Sequence, residues 1–204
     1  MSLLEITGLT HSFGENLLYK NAGFTLNKGE HIGIVGQNGT GKSTLIKICT
    51  EQIIPDSGRV IWRPNITIGY LDQYAEIDHT LTMKEFLKSA FAKLFEIETQ
   101  VMQLYEKAAD GDMKNLELAA YYQEQLETHD FYSIDTAIER VANGLGLLAI
   151  GLDRPIIEMS GGQRAKVILA KLLLEKPDVL LLDEPTNFCL LYTSPSPRDM
   201  RRSR

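Results

Sequence analysis

The stretch HIGIVGQNGTGKSTLIKI, residues 31–48, decides the fold. Its first part contains Ile32, Ile34 and Val35 and is typical of a buried strand. Its last part, with apolar residues at 45, 46 and 48, is typical of an amphipathic helix. Between them, residues 36–43 match the pattern G-x-x-x-x-G-K-[ST], which belongs between a strand and a helix. The stretch therefore predicts an α/β domain with a phosphate-binding loop.

The residue types in this loop suit a polyphosphate that carries a divalent cation. Glycines let backbone N–H groups turn inward around phosphate oxygens, and the start of the helix adds its dipole. Lys42 is expected to reach the β- and γ-phosphates, and Ser43 to ligate Mg²⁺. We therefore predict ATP and Mg²⁺ as cofactors, bound by Gly36, Gln37, Asn38, Gly39, Thr40, Gly41, Lys42, Ser43 and Thr44.

A second apolar strand is predicted over residues 179–182, and it ends at two acids. Ligands bind at the carboxyl ends of strands in α/β sheets. Asp183 is expected to hold Mg²⁺ through water, and Glu184 to polarise the attacking water as the catalytic base. Many buried strands end in a solvated acid, so this pattern is informative mainly in combination with the phosphate loop.

The sequence MSGGQ, residues 159–163, lies between these two motifs and precedes a predicted helix at 164–175. By itself it would also suit a tight turn with a helix cap. Between the two nucleotide motifs it resembles the signature of the ABC ATPases. The resemblance implies that this segment closes over the γ-phosphate of ATP held by a partner domain, through Ser160, Gly161, Gly162 and Gln163.

Two further positions take a role from the same resemblance. Gln73 follows a predicted strand at 68–71 and corresponds to the glutamine that contacts Mg²⁺ and the attacking water, so it joins Glu184 and Lys42 as a catalytic candidate. Phe13 corresponds to the aromatic residue that stacks on adenine. A single phenylalanine after a strand suits core packing equally well, so both interpretations stay open.

Residues 74–159 distinguish among ABC proteins. Apolar periodicity predicts helices over 80–108, 115–128 and 133–147, with a turn at 109–112, so the first two would form a hairpin. This segment resembles the arm of the ABC-F proteins, and Asn187 after Asp-Glu-Pro-Thr points the same way. The implied fold is α/β: a P-loop NTPase, ABC-type nucleotide-binding domain with a helical subdomain and an arm-like hairpin. Residues 1–73 and 160–187 would form its core.

The ABC-F resemblance covers residues 1–187 and implies a function. Such proteins carry two ATPase domains in one chain, hydrolyse ATP, act on the ribosome and tRNA in translation or antibiotic resistance, and need no membrane domain. One alternative is the ATP-binding subunit of an ABC transporter. Another is a fragment that binds nucleotide without turnover. A DNA-repair ATPase of the ABC type would carry a far longer coiled-coil insertion.

Composition agrees with a cytoplasmic globular protein. The chain has 204 residues, is 44% apolar and 24% charged, and carries a net charge of −6. The acidic balance argues against broad, unspecific binding of nucleic acid. Its start does not resemble a secretory leader, and its two cysteines form no metal or redox spacing.

Residues 188–204 are expected to be a non-native tail. CLLYTSPSPRD, residues 189–199, resembles the in-frame translation of a transposase sequencing adapter. In the ABC-F pattern, a D-loop, a switch histidine and a central strand between the two motif strands follow position 187. We therefore expect the 204-residue chain to hydrolyse ATP poorly and to fold poorly.

Overall fold

The computed structural model describes residues 1–71, 80–108 and 112–183. These residues fall into two compact units: residues 1–71 with 177–183, and residues 80–108 with 112–176. Several predictions fall outside the described residues: those for Gln73, Glu184 and Asn187, part of the turn at 109–112, and the tail at 188–204.

The first unit contains a three-stranded antiparallel sheet in the order β2-β1-β3. Its strands are β1 (Ser2–Phe13), β2 (Asn16–Asn27) and β3 (Ser57–Trp62). Helix α1 (Lys42–Cys49) follows the phosphate loop. Alternation along β1 turns Leu4 and Ile6 inward, where they form one apolar cluster with Leu45 and Ile48 of α1. This packing places the start of α1 beside the sheet.

A second sheet in this unit pairs β4 (Ile68–Leu71) with β5 (Val179–Leu182) in parallel. Its start is held by Asp178, whose carboxylate accepts hydrogen bonds from the N–H of Thr67 at 2.9 Å and from its hydroxyl at 3.0 Å. The predicted strands at 68–71 and 179–182 are confirmed, and Asp183 directly follows β5.

The predicted buried strand before the phosphate loop is wrong. Residues 31–37 form no regular structure, and the exposed fractions are 45% for Ile32, 44% for Ile34 and 94% for Val35. An inner strand of a parallel sheet needs hydrogen-bonded neighbours on both sides. In the part of the chain that the structure describes, no strand pairs with these residues. Apolar sequence alone therefore does not make this segment a strand.

The second unit is helical: α2 (Met83–Lys88), α3 (Ala92–Ala108), α4 (Met113–Thr128), α5 (Ile134–Gly144) and α6 (Gly161–Glu175). A 3-10 turn, Ser89–Phe91, divides the first predicted helix, and the other predicted helices begin and end within a few residues of their expected bounds. Met83, Leu126, Ile138 and Val167 are among its fully buried side chains. Helix α6 lies in this unit.

Helices α3 and α4 pack against each other as the predicted hairpin. Val101 of α3 and Ala119 of α4 are buried, whereas Met102, Tyr105 and Met113 are exposed. Across the described residues, no helix combines the length and apolar character that crossing a membrane requires.

Candidate nucleotide-binding site

The phosphate loop turns into α1 at Gly41, which has a φ of 96° and occupies the position before the helix. Gly39 also has a positive φ, of 84°. Both positions favour glycine because a side chain is strained in this region. Gly41 offers no side chain to cap the helix. The N–H groups of the first turn are therefore available to an anion.

Lys42 is the first residue of α1, and its side chain reaches back to the phosphate loop. Its Nζ donates hydrogen bonds to the carbonyl oxygens of Gly36 and Gln37, each at 3.0 Å. Thr40 also donates to Gln37 through its hydroxyl, at 2.9 Å. The loop thus encloses an ammonium group next to the free helix terminus, and this combination suits a polyphosphate.

Tyr19 is a contributor that the sequence analysis missed. Its hydroxyl donates a hydrogen bond to the carbonyl of Gly41, which also accepts the N–H of Leu45 at 2.9 Å. Burial raises the pKa of the Tyr19 phenol. Tyr19 lies in β2, outside every motif. No sequence signal identifies it, because the contact depends on how the sheet packs against α1.

Phe13 ends β1 and is 74% exposed. That exposure is inconsistent with the core-packing alternative for this residue. Stacking on adenine stays a prediction, and an uncovered ring at the end of a strand is suited to it.

Two of the predicted magnesium ligands, Ser43 and Asp183, lie in the described residues, and both offer oxygen atoms. Ser43 is exposed in the first turn of α1, and Asp183 follows β5. A hydroxyl and a carboxylate fit Mg²⁺, which prefers oxygen ligands and completes its shell with water and substrate phosphates. Among residues 1–71, 80–108 and 112–183, no group of three or more His, Cys, Asp or Glu side chains could hold a metal ion. The donor set therefore suits a cation that arrives with a phosphate ligand.

The signature segment caps α6 in the second unit. Ser160 accepts the N–H of Gln163 at 3.3 Å, and the Gln163 side chain accepts the N–H of Ser160 at 2.9 Å. A Cβ added to Gly161 or Gly162 would meet open space. The helix cap considered from sequence is thus present. It leaves the two glycines uncovered in the first helical turn.

The ABC transporter family profile matches residues 19–187, most of the chain. The chain is 46% identical over 192 residues to the uncharacterized ABC transporter ATP-binding protein YfmM of Bacillus subtilis (strain 168). The matched region spans 92% of this chain and 37% of that protein. It is 33% identical over 198 residues to ABC transporter F family member 2 of Arabidopsis thaliana, covering 93% and 29%.

The energy-dependent translational throttle protein EttA of Escherichia coli (strain K12) is 36% identical over 173 residues, or 83% of this chain and 31% of that protein. The chain thus spans about a third of these relatives. A solved ATP-binding subunit of an ABC transporter matches with a TM-score of 0.61 at 20% identity, covering 90% of this chain and 67% of that one. This chain therefore has the fold of an ABC-type P-loop nucleotide-binding domain. With the profile match across residues 19–187, these findings show that the chain belongs to the ABC transporter family as an ABC ATPase domain.

Proposed function

We propose that this chain is the first ATP-hydrolysing domain of an ABC-F protein that acts on the ribosome and tRNA. The observation that carries the proposal is the identity of 33–46% to an F family member, to a translational throttle protein and to YfmM over most of this chain. The packed α3–α4 hairpin supports the proposal. It lies in sequence between the two nucleotide motifs, where it resembles the arm of the ABC-F proteins.

A second ATPase domain in the same parent protein is part of the proposal. The chain spans 29–37% of these three relatives, so a longer protein of their kind has room for another domain of this size. The signature residues Ser160 and Gly162 would then act on ATP held by that second domain. Residues 1–187 are the proposed ABC domain, and residues 188–204 the proposed non-native tail.

The proposed chemistry is attack of water on the γ-phosphate. Glu184 would orient the water, with Gln73 beside it, and Lys42 would neutralise charge on the phosphate oxygens. Mg²⁺, when bound, supplies further neutralisation, and Ser43, Asp183 and Gln73 are its proposed ligands. Phe13 would hold the adenine.

A cytoplasmic location is proposed with this function. The buried free thiol of Cys49 suits a reducing compartment, and burial raises its pKa to about 11, which keeps the thiol protonated and unreactive.

The test begins with the complete reading frame of the parent gene, followed by a Glu184→Gln variant of its product. We expect a second phosphate loop and signature in the frame. We expect the variant to retain ATP, to slow turnover by orders of magnitude and to co-sediment with ribosomes in the presence of ATP, because removing the base spares the binding contacts.

Different results would favour the alternatives. A single ATPase domain encoded beside a permease gene would make the protein a transporter subunit. Turnover at the wild-type rate in Glu184→Gln would refute the catalytic role of Glu184. A parent protein that binds ATP without any turnover would leave a nucleotide-binding function alone.

A further inference from the structure

Tyr19 connects the antiparallel sheet to the phosphate loop. It lies in β2 opposite His11 of β1, and its ring packs against the apolar cluster shared by β1 and α1. Its hydroxyl donates to the carbonyl of Gly41, the residue that precedes α1. The contact therefore joins a residue outside every nucleotide motif to the last glycine of the loop.

The fit around this contact is close. A Cβ added to Gly41 would lie 2.5 Å from the Tyr19 hydroxyl oxygen and 3.3 Å from a methyl carbon of Leu18. The phenol thus occupies the space beside Gly41. Because Gly41 also has a φ of 96°, both the backbone conformation and the neighbour select glycine.

The contact orients a peptide plane. The carbonyl of Gly41 accepts two hydrogen bonds, one from Tyr19 and one from the N–H of Leu45 at 2.9 Å. In a planar trans peptide the C=O and the following N–H point in opposite directions, and the described chain contains no cis peptide bond. Holding the Gly41 carbonyl toward Tyr19 therefore directs the N–H of Lys42 away from Tyr19.

We propose that Tyr19 is a positioning residue for the polyphosphate: its hydroxyl holds the Gly41–Lys42 peptide so that the Lys42 N–H faces the phosphate oxygens. This inference rests on ATP binding by the loop and deepens the proposed function. Tyr19 does not touch the nucleotide itself. It acts through the backbone at the start of α1.

The protonation state of Tyr19 agrees with this role. Burial raises its pKa, so the phenol remains protonated and donates at physiological pH.

The experiment compares the 204-residue chain with Tyr19→Phe by calorimetric titration. The two ligands are ATP with Mg²⁺ and inorganic tripolyphosphate with Mg²⁺. We expect Kd to rise about twofold to tenfold for both ligands at unchanged stoichiometry, which is the effect of losing one hydrogen bond. Tripolyphosphate has no base, so an equal change for both ligands locates the effect in the loop.

Tyr132→Phe is the matched control. Its hydroxyl accepts a hydrogen bond from Gln123 at 2.7 Å in the second unit, and the ring is exposed. This control removes a hydrogen-bonded phenolic hydroxyl that belongs to no nucleotide motif, and we expect it to bind both ligands with wild-type affinity.

Three results would overturn the inference. One is a wild-type Kd for Tyr19→Phe. Another is a lower stoichiometry at unchanged Kd, which would mean that the hydroxyl only supports folding. The third is a change for ATP without one for tripolyphosphate, which would place the effect at the adenine side. If the wild-type chain bound neither ligand although its circular dichroism spectrum showed it to be folded, ATP binding by this loop would fail along with the inference. If the chain does not fold, the same comparison is made with the complete parent protein and its Tyr19→Phe variant.

Discussion

At the scale of single residues, Lys42 is the side chain whose replacement most directly tests the site. Its ammonium group donates to two carbonyls of its own loop and lies beside an uncapped helix start. We expect Lys42→Ala to weaken binding of MgATP about tenfold to a hundredfold, the range for losing hydrogen bonds to a charged group. Titration with a fluorescent ATP analogue measures this change.

Lys47→Ala supplies the comparison for Lys42→Ala. Lys47 is exposed in the last turn of the same helix, so its removal deletes an equal charge away from the loop. We expect nearly unchanged affinity for this variant. Equal losses in the two variants would mean that general electrostatic attraction, rather than a loop contact, binds the nucleotide.

At the scale of elements, helix α6 depends on the signature residues for its first turn. Ser160 caps the helix and Gln163 completes the capping box. We expect Ser160→Ala to lower the free energy of unfolding by about 1 kcal/mol, since the N–H of Gln163 then loses its acceptor. Urea denaturation followed by circular dichroism measures the loss.

Ser160→Asn separates the cap from the proposed contact with a partner's γ-phosphate. Asparagine caps helices as well as serine does, so stability should return to the wild-type value. ATP turnover of the parent protein should stay low in both variants. Normal turnover in Ser160→Asn would limit Ser160 to a structural role.

The stability of the β4–β5 pair is expected to depend on pH through Asp178, the residue that precedes β5. Hydrogen bonds from the Thr67 N–H and hydroxyl hold the pKa of Asp178 below its ordinary value. A depressed pKa in the folded state stabilises the protein above the unfolded value, and this stabilisation is lost as the pH falls through the folded pKa. We expect wild-type stability to fall more steeply than that of Asp178→Asn below about pH 4.

Urea midpoints measured between about pH 6 and pH 3 follow this dependence. Glu85 and Asp135, whose pKa values are also lowered, titrate in both proteins, so the difference between the two curves reports Asp178. Parallel curves would show that the Thr67–Asp178 contact contributes nothing to stability.

At the scale of the whole molecule, the two units differ in how fully their apolar residues are covered. The helical unit buries Leu87, Ile138 and Val167 completely. In the described part of the first unit, Ile34 and Val35 are exposed in a segment that pairs with no strand, and β4 and β5 form a sheet of two strands. Isolated two-stranded pairs are marginally stable. We therefore expect amides of residues 31–41 to exchange with solvent within seconds, while α5 and α6 remain protected far longer.

Hydrogen exchange measured by mass spectrometry tests this difference in amide protection. ATP turnover of the 204-residue chain is a second measurement on the same protein. We expect this chain to hydrolyse ATP slowly, because the phosphate loop follows an unpaired segment and its proposed signature partner belongs to another domain. Equal protection of residues 31–41 and α6, together with steady turnover, would contradict both expectations.

The sequence by itself determined what depends on neighbours along the chain. The glycines of the phosphate loop, the cap at Ser160, the α3–α4 hairpin and β5 follow from local periodicity and turn chemistry, so they could be predicted to within a few residues.

Only the tertiary structure decided the rest. Ile32 and Ile34 have the pattern of a strand, but a strand also needs partners distant in sequence. Phe13 at the end of β1 is exposed, and Tyr19 meets Gly41 because β1 and β2 pack against α1. Such contacts join residues far apart in the chain, and no local pattern records them.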